Sequence, residues 1–171
     1  MFVKRLKPLY GGREVFKIHG ISNRMDNGPH SHIVKKNFSG YNVKDTTYAG
    51  PNNRSVIVSI DEEDAAHMQA WGLPYRTWER DDGTVEYSVL LKLKLDKFRP
   101  QVVQILPSGE TIDLDDDMIS QLDNATIVDM QVGWTYGNVK GNLHAYINQL
   151  AVVIQPNLFS PDADDYYIEV E

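Results

Sequence analysis

The clearest regularity in the chain is a two-residue alternation that returns several times. From Val85 to Asp96, the residues Val85, Tyr87, Val89, Leu91, Leu93 and Leu95 fall on one face. Glu86, Ser88, Lys92, Lys94 and Asp96 fall on the other, with Leu90 the exception. Successive side chains of a strand point to opposite faces, so this is the pattern of a half-buried β-strand. Asp82-Gly83 just before it is a turn signal and makes Tyr75 to Glu79 its hairpin partner. Thr126 to Tyr136 alternates in the same way, with Val128, Met130, Val132, Trp134 and Tyr136 set against Asp129, Gln131, Gly133 and Thr135. Gly137-Asn138-Val139-Lys140-Gly141 then turns the chain into a last strand, Leu143 to Ile154. Ser55 to Ile60 and Gln101 to Leu106 read as shorter strands. Val15 to Ile21 and His32 to Phe38 are β-prone pieces between breakers at Gly11-Gly12, Asn27-Gly28-Pro29 and Gly50-Pro51-Asn52-Asn53.

Two segments depart from that period. Asp61-Glu62-Glu63-Asp64 is followed by AAHMQAW and Gly72, which predicts a helix over about 62–71. Asp61 suits the N-cap, the acidic residues suit the first turn, and Gly72 suits the position after the last turn. Leu114 to Leu122 reads as a second short helix, opened by Asp115-Asp116-Asp117. Helix-start chemistry accounts for both acidic runs. With Asp113, the second also matches a two-metal nuclease cluster in composition, but such sites need carboxylates from separate elements converging on ions about 4 Å apart. The pattern predicts a mainly β protein: a five-stranded antiparallel barrel of the oligonucleotide/oligosaccharide-binding (OB) type with one or two short helices, a β-sandwich being the competitor. Residues 1–156 form that domain, with 1–30 a basic N-terminal arm or extra strands. Residues 157–171 are a flexible acidic tail that lacks an apolar period.

Composition narrows the chemistry. The 171 residues include no cysteine, which excludes a disulfide scaffold, a thiol nucleophile and Cys-ligated metal. No apolar run is long enough to span a membrane, and MFVKRLKPLYGG lacks the apolar centre of a signal peptide, so a cytoplasmic protein is the expectation. The chain lacks G-x-S-x-G, H-E-x-x-H and G-x-x-x-x-G-K-[ST] motifs. His30 and His32 can share a strand face as metal ligands, but no third ligand is implied near them. No catalytic residue, cofactor or metal is therefore expected. The sequence leaves open whether the chain forms an oligomer.

The formal net charge of −7 argues against nucleic acid until it is divided along the chain. Residues 1–54 carry ten Lys/Arg against three Asp/Glu, residues 55–100 six against nine, and residues 101–171 one, Lys140, against twelve. Such asymmetry points to a polyanion-binding face, an acidic tail, or both. Along the chain, cations interleave with aromatic residues: Lys35, Lys36, Phe38, Tyr41, Lys44, Tyr48 and Arg54, then Trp71, Tyr75, Arg76, Trp78 and Arg80. Lys92 and Lys94 add an outward strand face, and the last hairpin adds Trp134, Tyr136, Lys140 and Tyr146. Single-strand binders pair a cationic groove for phosphates with aromatic faces for bases. Each of these residues also has a plainer role. Trp134 and Tyr136 lie on an apolar strand phase suited to core packing, Trp71 ends a helix face, and Lys92 and Lys94 suit a solvated strand. His144 contacts either a nucleotide or solvent. Phe38, among polar neighbours, and Trp78, near a hairpin tip, are expected to be exposed.

Four stretches in order resemble a family of bacteriophage single-stranded DNA-binding proteins with an OB barrel. They are KKNFSG (35–40), NRSVIVSIDEEDAAHMQAWGLPYR (53–76), VLLKLKLDKFRPQVVQI (89–105) and IDLDDDMISQLDNATIVDMQVGWTYGNVKGNLHAYINQLAVVI (112–154). The resemblance implies that Lys36, Phe38, Arg54, Lys92, Lys94, Arg99, Trp134 and Lys140 lie on or near a strand-binding surface. It implies non-catalytic, largely sequence-independent binding of single-stranded DNA in phage replication or recombination, within the host cytoplasm. Some such proteins carry an acidic tail that recruits replication proteins. Here Asp162, Asp164, Asp165, Glu169 and Glu171 supply charge, and Tyr166 and Tyr167 supply anchors. A plain solubilising tail is the alternative for that segment. For the whole chain, the alternative is a phage structural or protein-interaction module that binds no nucleic acid.

Overall fold

A computed structural model describes residues 4–9, 13–23, 31–40, 54–96 and 99–155. Among these residues, ten strands and two helices follow one another: β1 (Lys4–Leu9), β2 (Arg13–Ile21), β3 (Ile33–Asn37), β4 (Arg54–Ile60), α1 (Glu62–Ala70), β5 (Arg76–Glu79), β6 (Val85–Leu93), β7 (Gln101–Ile105), β8 (Thr111–Asp113), α2 (Asp116–Gln121), β9 (Thr126–Val139) and β10 (Asn142–Gln155). The proposed tail, 157–171, and Tyr41, Lys44 and Tyr48 lie outside the described residues.

The local predictions hold because local chemistry sets them. Asp61 caps α1, its carboxylate accepting from the Asp64 N–H at 2.6 Å, and Gly72 follows at φ +71°. Asp115 caps α2 in the same way at 2.8 Å, so the helix starts at Asp116 and not at Leu114. Lys140 and Gly141 both adopt positive φ, 53° and 86°, the arrangement of a tight turn that matches strand twist and joins β9 to β10.

The global expectation of a closed five-stranded barrel is corrected. The strands form one mixed, ten-stranded sheet whose main path runs β1-β2-β9-β10-β6-β4-β3 and stays open. Across its opening, an isolated parallel bridge joins Ser22 to His32. Off the main path lie β5, beside β6, β7, beside β10, and the short β8, beside β7. Among the described residues, the parallel ladders belong to β10, which is long enough to serve two partners in succession. Along one edge it pairs with β6 at Ala145 and Tyr146, then with β7 from Gln149 to Val152. A register shift at Asn148 separates the two, and such a bulge bends a strand from one neighbour toward the next.

Strand alternation builds the core. Val89, Leu91 and Leu93 of β6, Val56 and Val58 of β4, and Val132 and Trp134 of β9 are buried together, with Met68 of α1 and Ile119 of α2 packed among them. A second bulge corrects the phase predicted for β9. Val153 pairs with Asp129 but Ile154 pairs with Ile127, leaving Val128 as the inserted residue. Ile127 therefore points inward and Val128 is exposed.

Candidate nucleic-acid interface

Cross-strand partners share a face of a sheet, so the register tells which candidate residues come together. Lys92 pairs with Tyr146 on one side and Ser55 on the other, and Tyr146 pairs with Thr135. Lys92 and Tyr146 therefore stand side by side on the outer surface, opposite the core-facing Leu91 and Leu93. Lys94, two residues on, places its ammonium 5.2 Å from the centre of the Tyr146 ring, and His144 lies 6.3 Å from the same ring. Gly137 makes room for this arrangement: a Cβ there would meet ring carbons of Tyr146 at 3.0 and 3.3 Å. Arg76 and Trp78 of β5 pair with Ser88 and Glu86, so they share the outer face of β6 farther along. Trp78 is 60% exposed, as expected near a hairpin tip.

Between these two groups the edge of β6 changes hands. It pairs with β5 through Ser88 and with β10 from Leu91 onward. On that edge, among the described residues, no strand ladder reaches Val89 or Leu90. A cleft of about 150 Å³ opens at the gap, lined by Tyr75, Arg76, Lys92, Tyr136, Leu143 and His144, with Val89 and Leu90 at its base. The Tyr136 hydroxyl donates to the Pro74 carbonyl at 3.4 Å, tying β9 to the segment before β5. Burial raises its ionisation to about 12, so it stays protonated at neutral pH.

Other candidates have been drawn into the fold. Phe38 is fully buried, which corrects the expectation of an exposed ring: its backbone N–H and that of Ser39 donate to the Asp123 carboxylate at 2.7 and 3.0 Å and pull the segment inward. Trp134 is also fully buried, its ring 6.0 Å from that of Phe16. The Arg54 guanidinium is buried and donates to the Phe38 carbonyl and, at 2.9 Å, to the Ser120 hydroxyl. Lys36 donates to the carbonyls of Leu122 and Ala125 at 3.0 and 2.6 Å, just past the end of α2. Burial holds its ammonium below the ordinary value, against the attraction of Asp123. Arg99 is exposed but pairs with Asp116 at 2.6 Å. Lys35 is exposed on β3, and Lys140 stands at the tip of the last hairpin.

His32, considered above as a metal ligand, is engaged elsewhere. Its Nδ1 lies 3.1 Å from the Ser59 hydroxyl and its Nε2 2.8 Å from Glu86, which also pairs with Arg80 at 3.1 Å. This buried cluster ties β3 and β4 to the β5–β6 hairpin.

No protein-family model matches the chain, and no curated protein matches it in sequence. Its structure is similar to that of a single-stranded DNA-binding protein from bacteriophage Enc34 in complex with ssDNA, with a TM-score of 0.42 and 11% sequence identity over 94% of this chain and 98% of that one. At that level of likeness the functional reading has to rest on this chain's own residues.

Proposed function

We propose that the chain binds single-stranded DNA, without catalysis and largely without regard to sequence, along the outer face of β6 and β10. The observation that carries this reading is the row formed by Lys92, Lys94, Tyr146 and His144. There the Lys94 ammonium lies over an outward aromatic ring and Lys92 is that ring's cross-strand neighbour, with Arg76 and Trp78 extending the same face. Cations neutralise phosphates whatever the sequence, and every base has a flat face to stack, so such a surface is sequence-tolerant. The resemblance of four segments to phage single-stranded DNA-binding proteins supports a role in replication or recombination. The acidic run within 157–171 fits a segment that recruits partner proteins and competes with DNA for the cationic face.

A fluorescence titration with an oligothymidine at two or more salt concentrations tests the proposal. Affinity should fall with salt at a log–log slope of about −0.7 per neutralised phosphate. Binding without salt dependence, or with no preference over duplex, contradicts it and favours the protein-interaction module. Deleting residues 157–171 should tighten binding, and unchanged or weaker affinity removes the competition from the proposal.

A further inference from the structure

We infer that the cleft at the β5–β6–β10 junction seats a single pyrimidine base, turned out of the bound strand. The inference rests on the single-strand reading above and adds a base-selective point to a surface otherwise indifferent to sequence.

The backbone builds the cleft. Because β6 passes from β5 to β10 with Val89 and Leu90 between them, the gap belongs to the strand topology and not to a mobile side chain. Its lining suits a flat ring: Tyr75, Tyr136, Leu143 and Leu90 supply apolar and aromatic surface, and Arg76, Lys92 and His144 supply charge and hydrogen-bonding groups. The bond from Tyr136 to the Pro74 carbonyl braces one wall.

Size decides the occupant. The volume, about 150 Å³, is of the order of a cavity that takes up benzene and well below the several hundred Å³ of pockets for larger ligands. One six-membered ring is taken up whole, whereas a fused two-ring purine would extend past the open mouth and leave part of its face in water. Position supplies the route. Lys92 belongs both to the cleft and to the outer row with Tyr146, so a strand lying on that row passes the mouth. Unstacking a base costs least when it is already single-stranded.

The test measures oligothymidine and oligodeoxyadenosine of equal length against the wild-type chain and Leu143→Trp, a substitution at a part-exposed position on the cleft wall. The variant's fold is checked by circular dichroism. The expected result is a wild-type preference for thymidine. Leu143→Trp then loses about tenfold in thymidine affinity, the worth of one stacked base, with its salt slope unchanged and the preference abolished. A second arm leaves the protein untouched: an oligonucleotide of abasic sites carrying one thymine should bind more tightly than one carrying one adenine. Open stacking on an exposed ring favours the larger adenine, so equal or reversed affinities overturn the pyrimidine seat. Leu143→Trp binding like the wild type with its preference intact also overturns it, while the single-strand reading stands. A wild-type chain that binds neither oligonucleotide overturns both.

Discussion

The end of the sheet beside α2 and the outer face of β6 and β10 use the same residue types to opposite ends. Beside α2, Lys36, Arg54 and Phe38 are turned inward: the two cations satisfy carbonyl and hydroxyl groups and the ring is fully buried. On β6 and β10, Lys92 and Tyr146 stand outward as cross-strand neighbours, and Lys94, just past β6, lies over the Tyr146 ring. In sequence the two groups look alike, as lysines spaced around an aromatic residue. The comparison shows that what a cation already bonds, and which way its strand faces, decides whether it is available to a phosphate.

The sharpest way to break the comparison is to truncate a ring on each side. Trp134→Ala or Phe38→Ala should cost about 3–5 kcal/mol of stability, the usual loss for a large buried aromatic residue, read as a lowered denaturation midpoint. Folded protein should keep its DNA affinity. Tyr146→Ala should do the reverse: stability changes little, and affinity for oligothymidine falls by about 1–3 kcal/mol, the worth of a stacked base. Trp78→Ala should act in the same direction. Loss of affinity from the buried rings alone would invert the assignment.

Smaller effects sharpen the electrostatic half. Lys92→Ala with Lys94→Ala should weaken all sequences about equally and flatten the salt slope by roughly 1–2 units, measured by titration at several salt concentrations. Lys36→Met should leave that slope unchanged, since its ammonium is held by carbonyls.

A pH dependence at the cleft wall gives a check that needs no DNA. Folded Tyr136 keeps its proton up to about 12, whereas in the unfolded chain it loses it near 10. Between these values the unfolded state binds fewer protons, so stability falls as pH rises from 10 to 12. Lys36, lowered from 10.5, works in the opposite sense below 10.5, but Tyr136→Phe leaves it intact. Chemical denaturation of wild type and Tyr136→Phe across that range should therefore differ by a decline present only in the wild type.

Much of the fold was legible in the sequence because it is written in short-range terms. The β6 alternation, the Asp61 and Asp115 caps and the Lys140-Gly141 turn depend on neighbours a few residues away. The open sheet was not legible, since the β10 partnership with both β6 and β7 joins residues distant along the chain and turns on a bulge at Asn148. The site divides in the same way. Lys92 and Lys94 were outward by alternation alone. The burial of Phe38 depends on Asp123, 85 residues further along the chain. The cleft, with Leu143 and Pro74 in its wall, left no sequence signal because it exists only where two strands hand over an edge.

The central claim is that a DNA strand lies on the outer face of β6 and β10. Photocrosslinking with an oligonucleotide carrying 5-iododeoxyuridine, followed by peptide mapping, reads that path directly. Adducts concentrated on Tyr146, His144 and Trp78 are the predicted result. Adducts confined to β2 or α2, with Tyr146 and Trp78 unmodified, would contradict it.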